Sequence, residues 1–256
     1  SYSDSHCSNS SSAPVSSYSY SSSYSSSCGG AVYWSGFNGK LVNCNFVNSS
    51  SYSDSYSRAY SYSYHTENHS SCYSYGSSTD YSISCGGAVY WCGSNGELVD
   101  CSFVTSSSFS SSISIVSVSS STTDSEFGYS SKSNSTSRGG AVYFAVSNVA
   151  LVNCRFVNSS SYSESSSTVY CSNPWSSYSF SSTPIRSSEG GAVYFNGENG
   201  IFTDCSFANC SVNSSSAGSG WGSSGGAVYL NGDGSILTNC SFVDCISNDF
   251  GGALRD

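Results

Sequence analysis

Two hydrophobic–polar patterns alternate along the chain. The first is a set of short apolar runs, such as AVYW, LV and CNFV between Ala31 and Val47, broken by Gly, Asn and Ser. The second, seen in SSYSYSSSY from Ser16 and SRAYSYSY from Ser57, puts Ser at nearly every other position with Tyr between. Neither shows the three-and-four spacing of an amphipathic helix, and serine and β-branched residues are poor helix formers. Both patterns have strand periodicity. In the short runs Val32 and Trp34 share one face while Ala31 and Tyr33 share the other.

The runs belong to a repeat. GGAVYWSGFNGKLVNCNFVN, beginning at Gly29, returns at Gly86 as GGAVYWCGSNGELVDCSFVT. GGAVY begins at Gly29, Gly86, Gly139, Gly190 and Gly225, and GGAL at Gly251. The Ala residues (31, 88, 141, 192, 227 and 253) are separated by 57, 53, 51, 35 and 26 residues. Taking the shortest interval as the unit places hidden units halfway along the long ones. Cys follows Ala by 13 residues in each clear unit, and Ala59 and Cys72 have the same spacing. Ser114 in SISIVSVS and Thr168 in STVYCSNPWSSYSF mark two more. This gives eight to nine coils of about 27 residues with three strands each. Clear coils start near residues 29, 86, 139, 190, 225 and 251, and degenerate Ser/Tyr-rich coils near 57, 113 and 167. A period of this kind predicts an all-β parallel solenoid, one domain over residues 1–256, in which each coil pairs with the coils above and below.

Three columns follow from the alignment. The large apolar residue after Tyr and the C-x-F segment face inward, so Cys44, Phe46, Cys101, Phe103, Cys154, Phe156, Cys205, Phe207, Cys240 and Phe242 form a core ladder. Asn43, Asp100, Asn153, Asp204 and Asn239 form a corner ladder, since Asn and Asp tolerate left-handed backbone. Tyr33, Tyr90, Tyr143, Tyr194 and Tyr229 form an outward column. In the Ser/Tyr tracts, period two leaves two arrangements open: Ser inside with Tyr outside, or the reverse.

GGA followed by Ile, Leu or Val, paired with F-x-x-N, resembles the repeat region of chlamydial polymorphic outer-membrane proteins and of archaeal adhesin-like proteins. GGAV occurs five times and GGAL once, with FVNS at Phe46 and Phe156 and FANC at Phe207. FVTS at Phe103 and FVDC at Phe242 are variants. The resemblance fades in the Ser/Tyr tracts. It implies a right-handed, pectate-lyase-like β-helix displayed at a cell surface as an adhesive or structural passenger.

Charge narrows the partners. With a net charge of −9 and seven Lys and Arg, the chain has no basic patch for phosphates, so nucleic acid is not an expected partner. No apolar run approaches the roughly 20 residues of a membrane-spanning helix. Serine makes up about 30% of the chain, yet aromatics reach 15% in fixed register, which argues against disorder. Thirteen cysteines without methionine suit an oxidising, extracellular setting. The odd count leaves a thiol free or shared with another molecule. Cys44, Cys72 and Cys101 are expected on consecutive coils as packed thiols, Cys210 with Cys245 as a possible disulfide, and Cys28, Cys85 and Cys92 as thiols near loops. Sequons at Asn9, Asn48, Asn68, Asn134, Asn158, Asn209, Asn213 and Asn239 are candidate glycan sites.

No catalytic, metal or cofactor site is expected. Asp100 and Asp204 are acids in the corner column but on non-adjacent coils. His65, Glu67, His69 and Cys72 in HTENHSSC have zinc-like spacing, but they fall in a predicted turn and are read as a solvated loop. With no signal peptide and no initiator Met, the chain reads as mature, processed or excerpted. The first residues show no capping signature, and GGALRD stops two residues into a strand. Bare solenoid ends expose strand edges. The resulting expectation is an extracellular structural protein that polymerises head-to-tail with copies of itself. The alternatives are an adhesin that binds glycan or host protein, and a polysaccharide lyase or hydrolase.

Overall fold

A computed structural model describes residues 2–11, 15–65, 72–120, 125–171, 178–214 and 222–256. Among these residues there are only strands, turns and bends, and every strand pairing is parallel. The chain is an all-β parallel solenoid. Five sheets run along it, and neighbours in each sheet are equivalent strands of successive coils.

The coil itself differs from the expectation. The motif Ala residues are direct vertical neighbours: Ala31 N donates to Ala88 O at 2.9 Å, and Ala88, Ala141, Ala192 and Ala227 each donate to the next Ala at 2.8 Å. Each GGA-to-GGA interval is therefore one coil, and the intervals of 57, 53 and 51 residues are whole coils, not pairs. The coil that contains Ser50 has five strands, not three. Two are long, Ser50–His65 and Cys72–Cys85. Three are short, Val89–Trp91, Glu97–Val99 and Ser102–Val104.

The supposed degenerate coils near 57, 113 and 167 stack on one another. Ser114 pairs with Ser57 below and Ser167 above, while Ala59 pairs with Val116 and not with a motif Ala. They are the outward limbs of the same coils. Cys72 is likewise not in the core cysteine column: it pairs with Val15 and Ser125 in the second long sheet, and Cys101 stacks directly over Cys44.

Two lobes result. In the short-strand lobe, Val, Trp or Phe, Leu, Cys and Phe from three sheets fill an apolar core. Trp91, Phe103, Phe144, Phe156, Phe195 and Phe207 are fully buried there. In the long-strand lobe the open alternatives resolve with Ser inward. Ser51 bonds Ser84 at 2.7 Å, Ser53 bonds Ser82 at 2.8 Å and Ser57 bonds Ser78 at 2.6 Å. The next coil repeats this with Ser108–Ser137, Ser110–Ser135 and Ser112–Ser133 at 2.7, 2.8 and 2.7 Å. In five of these six pairs one hydroxyl also donates across the interface to a carbonyl, as Ser82 does to Ser53 O at 2.8 Å. Serine suits this position because its short side chain lets two sheets approach closely while its hydroxyl meets the rule that buried polar groups be bonded. Tyrosines take the outer faces, with Tyr52, Phe109 and Tyr162 stacked at 5.0 and 5.3 Å.

The lobes join at Gly-Gly. Gly139 has φ +60°, and a Cβ on Gly140 would overlap the Gly191 carbonyl of the next coil. Only glycine serves where the coils approach this closely.

The corner column holds positive φ throughout: 54° at Asn43, 53° at Asp100, 51° at Asn153, 54° at Asp204 and 52° at Asn239. Asn153 Nδ2 donates to Asp100 Oδ1 at 2.7 Å, and Asn239 Nδ2 to Asp204 Oδ1. Two further left-handed columns escaped the sequence reading. One comprises Asn38, Asn95, Asn148 and Asn199; the other Asn48, Thr105, Asn158, Asn209 and Asp244. The second was signalled by Val47-Asn48-Ser49, which repeats the Val-Asn step of Val42-Asn43-Cys44 at the known corner.

Candidate functional site

The end of each second long strand meets the outer face of the tyrosine-bearing short sheet. Along this seam the columns behave differently. The tyrosine column is uniform: Tyr33, Tyr90, Tyr143, Tyr194 and Tyr229 stack face to face, each 5.1 Å from the next. The column facing it changes at every coil but one. The long strands end at Cys28, Cys85, Arg138 and Glu189, in register as vertical neighbours, and Ser224 follows. Two thiols, a guanidinium, a carboxylate and a hydroxyl thus line a wall whose opposite side is five phenol rings.

The two walls touch. Cys85, Tyr143 and Tyr194 form a small buried cluster with Cys28, Ile83 and Tyr90 packed against it. Tyr143 and Tyr194 are only 7% and 4% exposed, so the column expected to face outward is half covered by the lobe beside it. Burial pushes the Tyr143 phenol up to about 12 and raises Tyr194 and Tyr90 further. Arg138 Nε donates to Glu189 Oε2 at 2.8 Å, and Ser187 Oγ donates to Glu189 Oε1 at 2.6 Å. The guanidinium also lies 5.1 Å from the centre of the Tyr194 ring. Burial opposes the Arg138 charge, but Glu189 together with the Tyr194 and Tyr143 phenols outweighs it and holds the guanidinium protonated. One coil on, Arg255 donates to Ser224 Oγ at 2.7 Å and sits 5.7 Å from the Tyr229 ring.

Cys28 and Cys85 are vertical neighbours in this wall. Their contact lowers the Cys28 thiol to about 7 against the opposing effect of burial, and raises Cys85. The core cysteines meet one another in the same way along their column, Cys101 with Cys154 and Cys210 with Cys245, and bond carbonyls as well. Cys101, Cys154, Cys205 and Cys240 each donate to the carbonyl two residues back and to a carbonyl of the preceding coil, at 3.3–3.5 Å. Cys44 donates to Val42 O at 3.5 Å. Cys210 and Cys245, anticipated as a possible disulfide, are free thiols with the same carbonyl bonding, Cys245 Sγ to Phe207 O at 3.6 Å and to Val243 O at 3.4 Å. Cysteine is a small buried residue whose weak donor satisfies corner carbonyls.

The remaining predicted positions are dispersed. Asp100 and Asp204 are separated by Asn153 in the corner column, and each accepts an Asn amide N–H. Glu67, His69 and Asn68 lie outside the described residues, and the backbone of His65 and Cys72 closes one long strand and opens the next. No cluster of three or more metal-ligating side chains occurs among the described residues. Among the sequons, Asn48, Asn158, Asn209 and Asn239 are exposed corner residues. Asn134 is a long-strand residue with a buried Oδ1, Asn213 accepts from Asn248 Nδ2 at 2.7 Å, and Asn9 lies in the strand Tyr2–Ser11. Among the described residues no helix is long and apolar enough to cross a membrane. In comparisons with known proteins the chain matches no family model, no curated protein and no solved structure.

Proposed function

We propose that this chain is an extracellular structural protein whose solenoids stack end to end with copies of themselves into a filament, sheath or appendage. The observation that carries this reading is the phenylalanine column. Phe46, Phe103, Phe156, Phe207 and Phe242 stack at 4.8–4.9 Å. The middle three are buried, whereas Phe46 and Phe242, on the outermost rungs, are only partly covered. Trp34 and Leu41 on one face, and Leu237 on the other, are in the same state. The two faces of this stack present the same ring type, and sheet edges carry N–H and C=O groups that pair with further strands. A contact between unlike faces is heterologous and open, so it propagates.

The long strands shorten from 14 residues to four and two in the last coils. The contact therefore falls on the short-strand lobe. Sedimentation velocity over a concentration series tests this. The unmodified chain is expected to grow into larger species, and Phe46→Asp and Phe242→Asp each to remain monomeric with an unchanged circular dichroism spectrum. A chain that stays monomeric at every concentration contradicts the reading.

A second reading, an adhesin-like surface protein that binds glycan or host protein, draws on the outer long-sheet face. Tyr18, Tyr20 and Tyr24 there are 61–66% exposed. Tyrosine offers broad contact area with a polar tip.

A further inference from the structure

The Cys28–Cys85 pair is set apart from the other described cysteine columns. It lies outside the apolar core, packed at the seam against Tyr143 and Tyr194. The two residues are in-register neighbours on adjacent parallel strands. Strand spacing is about 4.8 Å, inside the roughly 4.4–6.8 Å Cα separation that a disulfide spans. The position is rigidly held, because each cysteine is followed by a left-handed glycine, and Gly29 N donates to Cys85 O at 2.9 Å. The pair is also graded in access: Cys28 is partly exposed, and Cys85 is buried beneath it. The Cys28 contact and burial keep Cys85 protonated, with Arg138, the next residue in the column, acting weakly in the other direction.

We propose that Cys28 and Cys85 form a thiol–disulfide exchange site, in which Cys28 is the attacking thiol and Cys85 the resolving one, and that its substrate is a low-molecular-weight disulfide. In the first step the Cys28 thiolate attacks one sulfur of the small disulfide RSSR. The Cys28–S–S–R bond forms, the R–S–S–R bond breaks, and RS⁻ leaves and takes up a proton. In the second step Cys85 loses its proton and attacks Cys28 Sγ, which expels the second RS⁻. The pair loses two electrons and two protons, and the small disulfide gains them as two RSH. The product is a staple between the first two coils, closing a loop that contains the Ser50–His65 and Cys72–Cys85 strands. Exchange of this kind favours an attacking thiol that is both accessible and readily ionised, with a second thiol in reach.

The test uses oxidised glutathione as the probe on the folded chain, with trapping by alkylation and peptide mass mapping. The expected product has lost two hydrogens, has Cys28 linked to Cys85, and forms before any linkage within the Cys101–Cys154–Cys205 column. Cys85→Ser is expected to stop at the mixed disulfide on Cys28, and Cys28→Ser to accumulate no adduct at Cys85. Oxidation should raise the melting temperature of the unmodified chain and leave that of either variant unchanged. Recovery of Cys28 and Cys85 as free, alkylated thiols while other cysteines have been oxidised would overturn the proposal. So would an adduct on Cys28 that Cys85 never resolves.

Discussion

Asp80→Asn is expected to stabilise the protein at pH 8 and to remove most of the difference in stability between pH 5 and pH 8. Asp80 is 0% exposed between the two long sheets, among serines. Its Oδ2 accepts Ser57 N and Ser57 Oγ, both at 2.9 Å. Its Oδ1 and Ser55 Oγ are buried without partners. The pairings Ser53–Ser82 and Ser57–Ser78 on either side place Ser55 opposite Asp80. A protonated carboxyl, or the Asn amide, can donate toward Ser55, whereas a carboxylate cannot.

Burial raises the Asp80 carboxyl from 3.8 to about 7, against the lowering effect of the two Ser57 bonds. A folded-state value above the unfolded one means that the native state holds the proton more tightly. The stability it contributes is complete below about pH 4 and is lost as pH rises through 7. At 1.36 kcal/mol per pKa unit, the full loss is on the order of 4 kcal/mol, of which roughly 3 kcal/mol falls between pH 5 and pH 8. Urea unfolding of both proteins at the two pH values reads it directly. An Asp80→Asn protein less stable than its parent at pH 8 contradicts this account.

Phe156→Ala is expected to cost about 3–5 kcal/mol, the usual loss for removing a buried aromatic ring. Phe156 is fully buried, with Phe103 at 4.8 Å on one side and Phe207 at 4.9 Å on the other. Truncation leaves a void in a stack that neighbouring coils cannot close without breaking their strand pairing. Phe46→Ala, the same change on an outermost rung with one stacking neighbour, should cost less, about 1–2 kcal/mol, because part of that ring already meets water. Equal losses at the two positions, measured by urea unfolding of the monomer, would show that the column is not the continuous core described here.

The columns were legible in the sequence because each needs one residue type for one physical reason. Gly29-Gly30 and its repeats mark the tight turn, Tyr33 and Phe46 mark the two faces of three-residue strands, and Asn43 marks a left-handed corner. Coil length was not legible. The shortest interval, 26 residues, belongs to the end of the stack where the long strands have dwindled, so it measures a reduced coil and not a common unit. The spacing of Ala59 and Cys72 matches the clear coils by coincidence, since the two lie on different long strands. Period-two tracts satisfy either orientation, and what decides is the packing of one long sheet against the other, where paired hydroxyls fit and phenol rings do not. The seam was hidden for a similar reason. Cys85, Arg138 and Glu189 look unrelated along the chain and become one column only when a coil is 53 or 51 residues long.

The corrected coil also resets the size of the repeating unit. Eight to nine coils would give a subunit roughly 38–43 Å long, whereas six rungs in the tyrosine-bearing sheet give about 29 Å at a strand spacing of about 4.8 Å. Electron microscopy of the 256-residue chain itself measures this most directly. Filaments or tubes with an axial repeat near 29 Å per subunit are the predicted result. Dispersed single particles of about that length, with no end-to-end contact at any concentration, would contradict assembly by stacking.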